Sequence, residues 1–310
     1  MNFKNNTQIT AVILTFNEEK HLERCLSSVK QVTDSIYVID SYSTDSTLTI
    51  AKNEKVKYFL RKFDSHSQQF NWALNQIEPC EWVIRIDADE YLDSTLVNSI
   101  KQNAINCDRS ISGFALNRRI KFLRKDITYG GIFPVEVIRM FRYGLGKAES
   151  RLMDEHIIVS GKTACLDGEL VDENLNSLSW WIEKHNRYSS LEALEIFCNG
   201  FINEAEDNMS GASLTRRKLK HIYEKAPIPI RASFLFFYRY FIRIGFLDGF
   251  HGFLFHFFQG YWYRLLVDAK YSLLQEEFLL EKLTIQKCAY ILDIEESIVQ
   301  SKTRSAEIFL

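Results

Sequence analysis

Glu81-Trp82-Val83-Ile84-Arg85-Ile86-Asp87-Ala88-Asp89-Glu90 decides how this chain is read: an apolar, largely β-branched run that stops on a cluster of carboxylates. Its length and composition predict a strand over Glu81–Ile86, buried on both faces as strands of parallel sheets are. Residues i and i+2 of an extended chain share a face, so Asp87 and Asp89 are expected to point at one spot beyond the strand. Two carboxylates there repel each other unless a cation sits between or beside them. A hard divalent ion, Mg²⁺ or Mn²⁺, meets that need, because it takes one or two protein carboxylates and completes its shell with substrate phosphates. The small Ala88 leaves room for a ligand. On its own the triplet is short, and a strand end dressed with solvated acids would look the same.

Moving outward, strands and helices alternate. Ile9–Leu14, Ser35–Ile39 and Val56–Leu60 read as strands, and Asn17–Lys30, Thr47–Asn53 and Ser67–Ile77 as helices. Such alternation implies βαβ units and a mostly parallel sheet with helices on both faces. Ligands of such sheets bind beyond the carboxyl ends of the strands. Thr15-Phe16-Asn17, Asp40 to Asp45 and Asp87 to Glu90 are therefore expected to open onto one crevice. Asp40 sits at a strand tip, where a carboxylate accepts from a base N–H or a ribose hydroxyl, whereas Asp45 or Ser46 suits the cap of the next helix. From about residue 112 the pattern becomes strand-like and irregular (Gly113–Leu116, Val135–Phe141, His156–Val159), with turns at Gly130-Gly131 and Gly144-x-Gly146. Ser177–Asn199 returns to helix, and Thr215–Lys225 reads as a basic helix.

With 310 residues, 46% hydrophobic and 25% charged, the chain has room for one large α/β domain plus an appendage. A formal net charge of −2 argues against a nucleic-acid partner. Six scattered cysteines without C-x-x-C spacing are expected to be reduced thiols. The polar Met1–Thr10 stretch lacks the apolar core of a secretory signal, so the catalytic part is expected to face the cytoplasm.

Three ordered stretches now carry a resemblance: Val12-Ile13-Leu14-Thr15-Phe16-Asn17-Glu18-Glu19, Val38-Ile39-Asp40-Ser41-x-Ser43-Thr44-Asp45-Ser46-Thr47 and Ile84-Arg85-Ile86-Asp87-Ala88-Asp89-Glu90. They resemble the family 2 glycosyltransferases of the GT-A fold. More narrowly they are similar to bacterial enzymes that build lipopolysaccharide core, O-antigen or capsule. The likeness runs on through Phe70-Asn71-Trp72-Ala73-Leu74, Val137-Ile138-Arg139-Met140-Phe141-Arg142 and Lys184-His185-Asn186-Arg187-Tyr188-Ser189. It implies an inverting, metal-dependent transfer of a hexose or N-acetylhexosamine from a UDP-sugar to a lipid-linked saccharide. It also implies that Thr15, Asn17, Glu18 and Asn71 help cradle the nucleotide-sugar, that Asp40 contacts uracil, that Asp87 holds ribose and that Asp89 holds the metal.

Inversion needs a carboxylate on the face opposite the leaving group, to deprotonate the acceptor hydroxyl. Met153-Asp154-Glu155-His156 supplies the candidates, Glu155 first by alignment on the glutamate of a His-Glu pair in the relatives, and Asp154 second. His156 and His185 fit either an acid/base or a structural role. Arg139 and Arg142 fit either phosphate contact or plain surface charge.

The boundary expected from composition places a catalytic domain over 1–225 and a helical region over 226–310. Within the latter, Ser233–Arg243 and Gly249–Arg264 are dense in Phe, Tyr and Trp, interleaved with Arg231, Arg239, Arg243 and Arg264. Neither run offers about 20 uninterrupted apolar residues, so helices lying in a membrane interface are expected, peripheral to the cytoplasmic face of the inner membrane. A hairpin packing its aromatics on protein is the alternative. Two other functions are weighed: an inactive assembly partner with a transferase-like fold, which the retained acids argue against, and a nucleotidyltransferase. The latter would want a Gly-rich cationic loop where Thr15-Phe16-Asn17-Glu18-Glu19 stands.

Overall fold

The computed structural model describes residues 9–149, 156–199, 228–280 and 282–305, which fall into two units, 1–176 and 177–310. In the first unit, β1 (Ile9–Thr15), β2 (Ser35–Asp40), β3 (Lys57–Leu60) and β4 (Trp82–Asp87) pair in parallel in the order β3-β2-β1-β4. The sheet continues through β8 (Val135–Arg142), β6 (Ile111–Phe122), β11 (Lys162–Glu173) and β5 (Glu90–Leu92), with β7 (Lys125–Ile127) paired to β6. β8 runs antiparallel to β4, and β6 antiparallel to β8. A two-stranded ribbon of β9 (Gly146–Ala148) and β10 (Ile157–Val159) stands apart from the sheet. The mixed α/β sheet with helices on both faces, expected from the sequence, is borne out.

Two hydrophobic layers hold the helices. On one face α1 (Leu22–Val29), α2 (Thr47–Asn53) and α4 (Ser94–Asn106) bury Leu22, Leu26, Ala51, Leu96 and Ile100 against Ile13, Trp82, Ile84, Ile86 and Phe114. On the other, α3 (His66–Leu74) buries Phe70 and Ala73 against Val12, Leu14, Val83 and Phe141. Each large side chain so enclosed contributes roughly 1.5–3 kcal/mol of burial. α3 is capped by Ser65, whose hydroxyl accepts the Gln68 N–H at 3.2 Å, and α4 by Asp93, which accepts the Leu96 N–H at 2.7 Å. The expected helix over Asn17–Lys30 begins only at Leu22, because Asn17 takes a left-handed φ of 56° and its neighbours bond to the next loop instead.

The second unit starts with α5 (Leu178–Asn199). That helix groups with the C-terminal region rather than with the sheet, so the division falls at 176/177 instead of the expected 225/226. After it come α6 (Ile228–Phe237), a π turn (Tyr238–Ile242), a 3₁₀ turn (Gly245–Asp248), α7 (Gly249–Phe255), a second π turn (His256–Trp262) and α8 (Tyr263–Leu279). α9 (Ile285–Leu292) and α10 (Glu296–Ser305) follow. Lys270 of α8 fastens α5 by donating to the Asn186 carbonyl and side chain and to the Ser189 and Ser190 hydroxyls, all at 2.8 Å. Tyr263 and Arg264 reach Glu192 of α5 at 2.6 and 2.5 Å. Arg231 and Asp268, both buried, form an ion pair between α6 and α8.

Two of the four arginines expected at a lipid surface are thereby accounted for within the protein, Arg231 by Asp268 and Arg264 by Glu192. Among the described residues, no helix is long and apolar enough to cross a membrane. The basic stretch Thr215–Lys225 lies outside the described residues.

Candidate active site

Register brings the strand-end clusters together. Thr15 of β1 pairs with Asp40 of β2, and Leu14 pairs with Asp87 of β4, so the three polar segments leave adjacent strands at the same end of the sheet.

The β2 end is built around Asp40. Its carboxylate accepts from the Thr15 hydroxyl at 2.8 Å, the Ser43 N–H at 2.8 Å and the Ser43 hydroxyl at 2.6 Å, and the side chain is fully buried. Three internal hydrogen bonds occupy most of what a carboxylate offers. With Thr15, Asp40 shapes the 41–44 loop, and both side chains are buried. That loop is stitched to the β1 end in turn. The Asn17 N–H donates to the Ser43 hydroxyl at 2.8 Å, and the Asn17 side-chain oxygen accepts the Thr44 N–H at 2.8 Å. The Glu18 N–H donates to the Thr47 hydroxyl at 2.7 Å. Ser46 is the N-cap of α2 and makes no side-chain capping bond, while Asp45 just before it accepts the Thr47 N–H at 3.0 Å.

Two rings stand out of this double loop, Phe16 at 56% and Tyr42 at 57% exposure. Tyr42 holds a left-handed φ of 62°, an unfavourable conformation for an aromatic residue. Strain of this kind gathers at functional sites. Reading the sequence for carboxylates misses both rings, although their place directly after two strand ends is visible in it.

At the β4 end the two aspartates part company. Asp87 is the last strand residue, while Ala88 and Asp89 turn the chain into β5. Arg139 of β8 donates to Asp87 Oδ2 at 2.9 Å and to Glu90 Oε1 at 2.6 Å, and Arg85 lies 3.4 Å from Asp87 Oδ1. Glu90 also accepts the Asp87 N–H at 2.9 Å. The positive charge expected beside Asp87 is thus supplied by guanidinium groups, and the two aspartates do not share one spot on a strand face. Burial alone would raise the Asp87 carboxyl, but Arg139 and Arg85 hold it well below the usual carboxylate range. For Glu90, burial pushes the carboxyl up against the pull of Arg139, with Asp87 and Asp172 adding repulsion. Arg139 is buried rather than a surface charge.

Asp89 is held differently. Its backbone carbonyl accepts from the Glu173 N–H at 3.1 Å and from Arg24 at 3.2 Å, and its Oδ2 accepts from Asn174 Nδ2 at 3.1 Å. Beneath the turn lies the Cys25 thiol, 3.8 Å from the Asp87 carbonyl. Burial pushes that thiol up, and the negative charges of Glu90, Asp89 and Asp87 push it further.

The Asn71 side-chain amide pairs with the backbone of Ala148, donating to the carbonyl at 2.9 Å and accepting the N–H at 2.8 Å, and so clamps β9. Asp154 and Glu155 lie outside the described residues, between β9 and β10 in sequence. His185 is structural. It stacks on Trp181 at 3.5 Å between ring centroids and bonds to the Trp181 carbonyl at 2.8 Å.

Residues 10–142 match the family described as glycosyl transferase family 2. An uncharacterized glycosyltransferase of Rickettsia typhi is 27% identical over 205 residues, covering 62% of this chain and 69% of its own. The lipopolysaccharide core biosynthesis glycosyltransferase LpsC of Rhizobium meliloti is 27% identical over 192 residues, 60% of this chain and 70% of that protein. Among solved structures, glucosyl-3-phosphoglycerate synthase from Mycobacterium tuberculosis, in complex with Mn²⁺, UDP and glucosyl-3-phosphoglycerate, is 18% identical with a TM-score of 0.32. The overlap is 38% of this chain and 46% of that one, too partial to carry a ligand across.

Proposed function

We propose, from the match of residues 10–142 to glycosyl transferase family 2, that the chain passes a sugar from a UDP-sugar to a lipid-linked saccharide, with inversion and with a divalent cation. The observation that carries this reading is the register that sets the Thr15–Asp40 loop and the Asp87–Glu90 turn side by side at one sheet end. Phe16 and Tyr42 offer ring faces on which a nucleobase stacks, a contact worth about 1–3 kcal/mol per base. The Asp40–Thr15–Ser43 bonds keep those rings in place.

Asp89 fits the cation. Asp87 faces two guanidinium groups, but Oδ1 of Asp89 has no protein hydrogen bond among the described residues and offers one hard oxygen. A bound Mg²⁺ or Mn²⁺ would neutralise charge on the departing diphosphate. Asp87, fixed by Arg139 and Arg85, supplies an ionised acceptor for a ribose hydroxyl. Deprotonation of the acceptor hydroxyl falls to Glu155, with Asp154 as the second candidate. The similarity to a lipopolysaccharide core enzyme supports a lipid-linked acceptor in cell-surface polysaccharide synthesis.

Membrane association is supported by the second unit, where Phe234, Phe237, Phe241, Ile242, Phe246, Leu247 and Phe250 are all exposed. Exposed apolar side chains gathered in this way fit a binding face. The similarity to a lipopolysaccharide core enzyme supports, as the membrane, the cytoplasmic face of the inner membrane.

The test is UDP release from a panel of UDP-sugars with Mn²⁺ or Mg²⁺, with and without lipid-linked acceptor. Asp89→Ala should abolish metal-dependent UDP binding, and Glu155→Gln should keep UDP binding and lose transfer. Absence of binding and turnover with every nucleotide-sugar would sink the proposal. Normal transfer by Glu155→Gln would move the base to Asp154.

A further inference from the structure

The turn that carries Asp89 is gripped from outside by the last residue of β11 and the three that follow it, Glu173-Asn174-Leu175-Asn176, and each is tied down separately. Asn174 donates its Nδ2–H to Asp89 Oδ2 at 3.1 Å, while its own side-chain oxygen accepts the Asn176 N–H at 3.0 Å. The orientation of the Asn174 amide is thereby set: its oxygen is taken up locally and its nitrogen is left for Asp89.

Leu175 donates its N–H to Nε2 of His21 at 2.8 Å. Because Nε2 accepts, the proton of the neutral ring sits on Nδ1, which donates to Glu18 Oε2 at 2.6 Å. His21 is buried to 1% exposure, so this link is shielded from water. Arg24, one helical turn further on, donates to Glu173 Oε2 and to the Glu173 carbonyl, both at 2.6 Å, and also to the Asp89 carbonyl. Lys20 reaches the Asn176 side chain at 3.0 Å.

We propose that Asn174 is a positioning residue for the cation, holding Asp89 by one oxygen so that the other faces the metal, and that His21 locks the segment bearing Asn174 to the nucleotide-binding turn at Glu18. The chain of contacts Glu18–His21–Leu175–Asn174–Asp89 then joins the nucleotide side of the crevice to the cation side through fixed hydrogen bonds. A donor on one carboxylate oxygen orients the other toward the ion, and partners of this kind typically set metal affinity by about 10–100-fold. This inference rests on the proposal that Asp89 holds the cation.

The experiment is calorimetric titration of UDP into the full chain with and without Mn²⁺, joined to Mn²⁺ paramagnetic resonance in the presence of UDP, for wild type, Asn174→Ala and Asp89→Ala. Asn174→Ala should weaken Mn²⁺ retention by about tenfold, leave metal-free UDP affinity within about twofold, and recover its kcat at saturating Mn²⁺. Equal weakening of UDP with and without Mn²⁺, or no change in either, would overturn the proposal, because a purely structural clip acts on both states alike. If Asp89→Ala keeps metal-dependent UDP binding, the cation reading itself fails, and this inference with it. If Asp89→Ala loses that binding while Asn174→Ala behaves as wild type, only the positioning role fails. His21→Phe removes the acceptor for Leu175 and should reproduce the Mn²⁺ effect of Asn174→Ala. Should that buried substitution prevent folding, the half-buried Asn174→Ala still decides the matter.

Discussion

Arg139 lies between Asp87 and Glu90 inside the sheet, and Arg85 completes a quartet of two cations and two anions. Removing one member leaves a buried charge without its partner, which costs far more than losing an exposed ion pair. Arg139→Met should therefore lower unfolding free energy by about 3–5 kcal/mol, read by urea denaturation. Asp89→Ala loses one hydrogen bond and should cost only about 1 kcal/mol. Comparable losses for the two would mean the quartet does not matter to the fold. The quartet is hidden in the sequence, because Arg139 stands 52 positions from Asp87 and only the antiparallel pairing of β8 with β4 joins them. Asp40 was legible as a strand-tip acid, but its burial was not, since one of its partners, Thr15, comes from a different strand 25 residues away.

Among the elements, β1, β2 and β4 announce themselves by β-branched runs that end on polar clusters, and α2 appears with the bounds its spacing predicts. α4, absent from the expectations, still carries a signal, an Asp93 cap followed by Leu96, Val97, Ile100 and Ala104 at helical spacing. β11 carries little, because its register shifts between Cys165 and Glu169 and its polar residues follow no strict alternation. The α6–π–3₁₀–α7 stretch could be read as aromatic but not as exposed. In the structure Phe237 and Phe241 stack at 5.4 Å yet are 57% and 50% exposed, so the pair covers itself poorly. Arg243 is exposed beside them. Replacing both rings, Phe237→Asp with Phe241→Asp, should shift stability by no more than about 0.5 kcal/mol per site. Each change should lower partitioning onto phosphatidylglycerol-containing vesicles by about tenfold or more, measured by co-sedimentation. Undiminished sedimentation of the double variant would move the membrane contact elsewhere.

At the scale of the whole molecule the two units differ in how they meet acid. The sheet unit pairs the charges around Asp87 with guanidinium groups, whereas the helical unit holds two imidazoles among rings, His256 buried and His185 half-buried. Burial pushes His185 down to about 4 against the opposing hydrogen bond to the Trp181 carbonyl, with Lys184 adding to the depression. Burial likewise pushes His256 down to about 4, helped by Arg239, and neither of its ring nitrogens finds a hydrogen-bond partner among the described residues. The side chain packs on Gly245 and against the Tyr240 and Phe255 rings. An unfolded histidine takes up its proton near pH 6.5, and these two do so only near 4. Between those values the unfolded chain binds more protons than the folded one, so stability rises with pH across that window and is lost as pH falls through it. Thermal unfolding of the helical unit should therefore move to lower temperature between pH 6.5 and 4, with hydrogen exchange rising first in α5, α7 and α8. His256→Leu, which removes one titrating group and two unsatisfied polar atoms, should raise the melting temperature at neutral pH and flatten the pH dependence. An unchanged slope in that variant would mean that the acid sensitivity arises elsewhere in the chain.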